Sequence, residues 1–409
     1  MNQKVNRKPL YFPISMANFV RWVRLFPYWF LLFTIGFGWF ILSPLVGSII
    51  SAFHSSLAPV VLLISLYGYT MVALGLLAGW LSARFTVRSS LIVAAILSVI
   101  GLVGRSISPD YSILFIMQTI AAVAYPMAVA PVGSISESIS RERAHTITGI
   151  SIGILFLGMA VGSFSGGILL GEIKLTGTFW LTAILAVIAL VVVIPGTRNY
   201  PVDYKGRSLR GVFKAGVIKN WYVGLVIASV SVMFGGIAAE VLSHFRAYDT
   251  TYAYYGGLLG GLTFLGSALG AIILPPLFEK YRFLKKGIII TSFLAFVSVF
   301  SLSYFLSFLP ILWILLISFF SFGFFGNAYW SMAMTSTTNY VDDPAKAGFS
   351  TSMFSVATNI GVALVPVFIG PLFITIAPFA VGLIVSLEFV GFLLSPALKL
   401  KPPAGVGYV

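Results

Sequence analysis

Side chains able to move a proton, hold a metal or attack a bond are scarce in this chain. Its 409 residues include 11 acids, three histidines and no cysteine. His54, His145 and His244 are too dispersed to build a metal cluster, and there is no nucleophile triad or phosphate-cradling loop. The lack of cysteine excludes disulfides, thiolate metal sites and thiol redox switching. No cofactor or metal is expected. Two placements stand out. Glu240 and His244 are four residues apart, which puts them on one face of a helix, and a carboxylate beside an imidazole makes a pair that changes protonation near neutral pH. The alternative is a surface pair helped by Arg246. Glu388 lies inside an apolar run with no basic residue within a turn. It reads as a proton site or as a contact to a polar group on a neighbouring helix. Arg105 and Asp110 close another run and are expected to snorkel into solvent.

The elements that position these groups follow from hydropathy. The chain is 59% hydrophobic and 9% charged, a composition that water-soluble domains do not show. Apolar runs long enough to cross roughly 30 Å of hydrocarbon as helices recur at 25–52, 58–82, 89–108, 112–136, 146–171, 176–195, 220–244, 254–278, 287–308, 310–334, 350–374 and 377–396. The alternating pattern of an outer-membrane barrel is absent. The expected fold is therefore all-α and integral to the membrane, with twelve transmembrane helices. An ionisable group at mid-depth costs roughly 2.5–3.5 kcal/mol on the insertion scale, so each one is a functional candidate.

Charge sets the expected orientation. With the amino terminus in the cytoplasm, every Lys and Arg except Arg105, Lys174 and Arg246 falls on the cytoplasmic side, as the positive-inside tendency requires. Both termini are then cytoplasmic in a multi-pass protein of the cell membrane. The net charge of +14 becomes a topology signal directed at anionic lipid headgroups. A nucleic-acid partner is not expected, because the basic residues are scattered over seven segments rather than gathered on one face. The first apolar run is longer than a signal-peptide core and should be retained.

The longest polar segment, 196–219, divides the chain into two sets of six spans. The expected layout is a terminal segment 1–24, a first bundle 25–195, a central loop 196–219, a second bundle 220–397 and a tail 398–409. This pattern of two pseudo-symmetric bundles suits secondary transporters, which hold substrate near the bilayer midplane between halves.

Span 5 contains GISIGILFLGMAVGSFSGG, residues 149–167, with six glycines. Glycine frays helices in water, but in a bilayer the backbone must bond within its own element, and small residues let another helix approach. Gly158, Gly162 and Gly166 recur every four residues. Span 8 repeats that spacing at Gly256 and Gly260, Gly257 and Gly261, and Gly266 and Gly270.

These features resemble the major facilitator superfamily. Antiporters of that family carry on helix 5 the pattern Gly, eight residues, Gly, three residues, Gly-Pro, two residues, Gly-Gly. The chain matches it at Gly149, Gly158, Gly162, Gly166 and Gly167, with Ser163 in place of the proline. The family's loop signature after helix 2 survives as Gly79, Arg84 and Arg88, with Ala83 where its acid belongs. The second copy, after span 8, keeps Glu279 and Lys280. In the family this acid faces the amino terminus of a helix in the opposite half. The resemblance therefore implies that Glu279 acts near Arg141 to His145, and that the contact is missing at Ala83. Aligning the helix 4 signature on Gln118 places Phe115 where proton-coupled members have arginine, so the first half offers no evident buried titratable group.

The resemblance also implies that helices 5 and 8 face each other across the halves, so that Gly149, Gly158, Gly162, Ser163, Gly166, Gly167, Gly256 and Gly260 form a sliding seam; packing without directional meaning is the alternative. It implies a cavity drawing on Trp39, Tyr67, Gln118, Tyr125, Asn327, Trp330 and Asn359. Such a pocket suits a neutral or cationic amphiphile better than a phosphate or dicarboxylate. The expected function is a monomeric secondary transporter of a small molecule, not an enzyme. It is read as an exporter or antiporter of mostly apolar compounds, with protons as coupling ion through Glu240, His244 or Glu388. An importer or facilitator of a solute such as a sugar or organic acid is the alternative, and a membrane receptor is the remote one.

Overall fold

The computed structural model describes residues 23–198, 200, 217–245, 250–338 and 344–400. Even where prolines lie inside, as Pro126, Pro275, Pro276 and Pro366 do, long apolar runs yield long helices. They are α1 (Phe26–Phe40, continued by Val46–Phe53), α2 (Leu57–Arg84), α3 (Val87–Ser106) and α4 (Tyr111–Val129, continued by Val132–Ile139). A helical stretch Ala144–Gly196 carries both α5 and α6. The second set is α7 (Ile218–Phe245), α8 (Thr250–Lys280), α9 (Leu284–Ser307), α10 (Leu312–Thr338), α11 (Pro344–Ile369, continued by Leu372–Thr375) and α12 (Ala377–Leu394). No strand occurs among the described residues.

At about 1.5 Å per residue, the 53 residues of Ala144–Gly196 would extend roughly 80 Å if straight, far more than a bilayer. Lys174 breaks the stretch with φ 60° and ψ 177°, and the chain turns back there. Trp29 Nε1 donates to Ser151 Oγ at 2.9 Å, and Pro27 packs on Gly196. Residues 151 and 196 therefore lie at one end of the molecule, with α5 (144–173) and α6 (175–196) as antiparallel crossings. Among the described residues, eleven helical stretches satisfy the length and hydropathy of a membrane span, and this doubled one makes twelve crossings.

Some prolines interrupt the helices, while Pro126 and Pro366 sit inside them. Pro44 sits in the 3-10 turn Ser43–Leu45 that splits α1, Pro131 separates the two pieces of α4, and Pro371 begins the last piece of α11. Helix ends are closed by local chemistry. Thr86 Oγ1 accepts from Ser89 N and Asp110 Oδ1 from Ile113 N, both at 2.9 Å, capping α3 and α4. Large apolar side chains such as Ile168, Val191, Trp313 and Phe368 are more than half exposed, as a lipid-facing surface requires.

Candidate functional site

A cavity lies between the two sets of helices, with about 550 Å³ of space when the part open to solvent is included. Its lining combines Trp39 and Phe40 of α1, Tyr125 of α4, and Leu155, Phe156 and Met159 of α5 with residues of the second half. Those are Ala228, Ser231 and Val232 of α7, Phe264 of α8, Asn327 and Trp330 of α10, and Thr358, Asn359 and Val362 of α11. None of these described residues is charged. The halves meet through rings: Phe40 and Phe264 have centroids 4.3 Å apart, and Phe156 meets Phe264 and Trp330 at 6.4 Å.

Five of the seven expected cavity residues, Trp39, Tyr125, Asn327, Trp330 and Asn359, line this space. Tyr67 stands behind it, stacked on Trp39 at 4.5 Å and 6°. Gln118 is fully buried away from it: its Oε1 accepts from Arg105 at 3.0 Å, and its Nε2 donates to Leu63 O. Sequence reasoning missed Phe40, Phe156 and Phe264, whose signal is dilute among 36 phenylalanines.

Arg105 does not snorkel. It is 1% exposed. Its Nη1 donates to Gly38 O and Gln118 Oε1, both at 3.0 Å, its Nη2 donates to Thr182 Oγ1 at 2.7 Å, and its guanidinium covers Phe179 at 4.9 Å. The cation thus ties α1, α4 and α6 to its own helix, α3. Placement one residue from a helix end marked it for solvent, but the α3 face it occupies turns inward. The first half does hold a buried ionisable group. Asp110, by contrast, is exposed and serves as the α4 cap.

The expected glycine seam divides. A methyl group at Gly149 would meet Ala271 O and Pro275, and one at Gly153 would meet Ala268 O and Ile272, so these two face α8. At Gly158, Gly162 and Gly166 the added methyl would meet Phe33 O, Phe37 O and Ile41, and Pro44, all on α1. Those three glycines pack within the first half and not across the seam. The reason is rotation: nine residues at about 100° each turn Gly158 half a revolution from Gly149. Ser163 is half-buried, and Gly167 faces open space. Gly260 lies against Gly235 of α7, whereas Gly261 receives the Phe164 ring from α5. Gly256 lies outside the residues whose packing is described.

One end of the molecule carries Arg84, Arg88 and Lys280, and there the halves are joined by hydrogen bonds. The α5 stretch has no side-chain cap of its own, which leaves amide N–H groups exposed at its start. Glu279 of α8 supplies the acceptors: Oε1 takes His145 N at 2.9 Å, Oε2 takes Thr146 N at 2.8 Å, and the Thr146 hydroxyl also bonds Oε2. An anion at a helix amino terminus is favoured by the dipole. At the other pair of helices Ala83 is buried and offers no acceptor. Instead Gly79 lets Ser352 and Phe349 of α11 close on α2, and Ser352 Oγ donates to Gly75 O. Thr338 Oγ1 donates to Glu137 Oε1 at 2.8 Å, Gly348 N to Ser134 Oγ at 3.1 Å and Thr351 Oγ1 to Ala130 O at 3.2 Å. Arg88 reaches Ile194 O, Arg84 lies over Trp80, and Lys280 lies over Tyr281. These three cations do not bridge the halves through those contacts.

Glu388 is completely buried in α12, and neither carboxyl oxygen has a hydrogen-bond partner. Two tyrosines brace the helix on either side of it: Tyr222 Oη donates to Leu387 O at 2.9 Å and Tyr329 Oη to Gly391 O at 2.8 Å. Glu240 and His244 fall within α7, but their side chains lie outside the described residues.

No curated protein matches the sequence. The fold, however, is shared with 308 chains of solved structure. Among them is the human organic anion transporter MFSD10 (TETRAN), at TM-score 0.71 and 12% identity, covering 92% of this chain and 99% of that one. The chain also matches a family model over residues 28–366, and it thereby belongs to the Major Facilitator Superfamily of secondary transporters.

Proposed function

We propose that the chain is an exporter of small, mostly apolar compounds, working by alternating access around the central cavity and driven by proton exchange. The observation that carries this reading is a cavity built by both halves from aromatic rings, amides and hydroxyls, with no charge in its lining. The basic end would face the cytoplasm and its anionic headgroups, with both termini there and the chain acting as a monomer. MFSD10 is described as an organic anion transporter, but this lining offers no cation to an anionic substrate. Glu388 is the coupling site in this reading, because its carboxyl can gain or lose a proton without breaking a bond seen in the structure. The Glu279 contact to α5 is the latch that holds the basic end shut.

The test uses proteoliposomes loaded with a planar aromatic dye. Efflux driven by inward proton flow is expected, and Glu388→Gln should remove the gradient dependence. Transport indifferent to the gradient would replace the exchanger with a facilitator. For the latch, the absence of native cysteine allows Ala347→Cys, buried at the closed end, to report opening. Glu279→Gln should speed thiol labelling there several-fold, and an unchanged rate would remove Glu279 from the gate.

A further inference from the structure

The cavity contains two tryptophans, and their indole N–H groups differ. Trp39 Nε1 donates to Ile64 O at 2.7 Å. Trp330 is 5% exposed, and its Nε1 has no partner. Burying an N–H without an acceptor is costly, so such a group in a functional cavity is where a ligand is to be sought. The two amides of the lining are engaged: Asn327 Nδ2 with Ser267 Oγ at 2.6 Å and Asn359 Nδ2 with Ser355 O at 2.8 Å. Thr358, beside Gly224 of α7, adds a second buried group without a partner, its hydroxyl. Trp330 is also held in place. Its ring packs edge-on against Phe354 at 5.4 Å, and its neighbour Tyr329 anchors α10 to α12 through Gly391 O.

Resting on the transporter reading above, we propose that the substrate is an uncharged, flat aromatic compound carrying one hydrogen-bond acceptor, a carbonyl oxygen or its equivalent, received by Trp330 Nε1–H. The rings of Trp39, Phe40, Tyr125, Phe156 and Phe264 take the flat apolar body. An ion would lose its hydration in a lining without counter-charge, which excludes fixed anions and disfavours cations despite the aromatic faces. A hydrocarbon of the same shape would leave the Trp330 donor unpaired.

The experiment compares fluorenone with fluorene, which differ by one carbonyl oxygen, as ligands of the purified full-length protein. Fluorenone should bind about tenfold tighter than fluorene, the size expected when a buried donor gains its acceptor. Trp330→Phe should abolish that ratio by weakening fluorenone alone, and Thr358→Val should reduce it less. The ratio of ratios cancels differences in partitioning. Equal binding of the two compounds to the wild type, a ratio that persists in Trp330→Phe, or tighter binding of N-methylacridinium than of fluorenone would each overturn the proposal. Should Trp330→Phe not fold, the wild-type ratio and Thr358→Val still decide. Ala228→Trp separates the two levels. If filling the cavity leaves both affinities unchanged, the cavity itself is not the binding site; if both affinities fall while the fluorenone preference is missing, only the acceptor inference fails.

Discussion

Arg105 in the first six helices and Glu388 in the last six are both sealed from solvent, yet their surroundings differ in kind. Arg105 is dressed by a carbonyl, an amide, a hydroxyl and an aromatic face drawn from three other helices, and only its Nε lacks a partner. Glu388 has no partner on either oxygen, although two tyrosine hydroxyls approach the same helix and bond its backbone instead. A buried ion surrounded by oriented dipoles is part of the scaffold, because removing it strands every group turned toward it. A buried acid that bonds nothing holds nothing together. What it retains is the capacity to change protonation, the property a coupling site needs. Burial alone therefore does not tell the two residues apart; their hydrogen bonds do.

The contrast can be broken experimentally, and the largest effect should come from Arg105→Met. That change leaves Gly38 O and Gln118 without their donor and unties α1, α4 and α6, at a cost of about 3 kcal/mol, read as a drop in thermal unfolding temperature in detergent. A stability within ~0.5 kcal/mol of wild type would show the cluster to be incidental. Gln118→Leu removes one of the three hydrogen bonds to the cation and should cost about 2 kcal/mol. Arg105→Met combined with Gln118→Leu should fall well short of the sum, because both act on one cluster. The smallest effect belongs to Glu388→Leu, which forfeits no bond and should alter stability by less than ~1 kcal/mol. If Glu388→Leu proves as damaging as Arg105→Met, the two residues share a structural role and the assignment of Glu388 to coupling is lost.

Much of the architecture was legible in the residue order. Spans long enough to cross a bilayer and the turn-back near Lys174 follow from hydropathy, a local property, whereas Trp39 and Trp330 were reached as cavity residues through the resemblance. The Glu279 contact was placed near Arg141 to His145 by resemblance, and the structure brings it to His145 and Thr146. The glycine pattern contained information that spacing alone could have released: a nine-residue step is a half-turn, so Gly149 and Gly158 cannot serve one neighbour.

Length and hydropathy by themselves determined a chain of membrane-crossing helices, because insertion into lipid tests each segment separately. The tertiary structure alone decided that Arg105 is enclosed, that Gln118 serves it rather than the cavity, and that Trp330 keeps a free donor while Trp39 does not. Those outcomes depend on how each helix is rotated about its axis and which neighbour fills the facing groove. Both are set by packing between segments far apart in the chain.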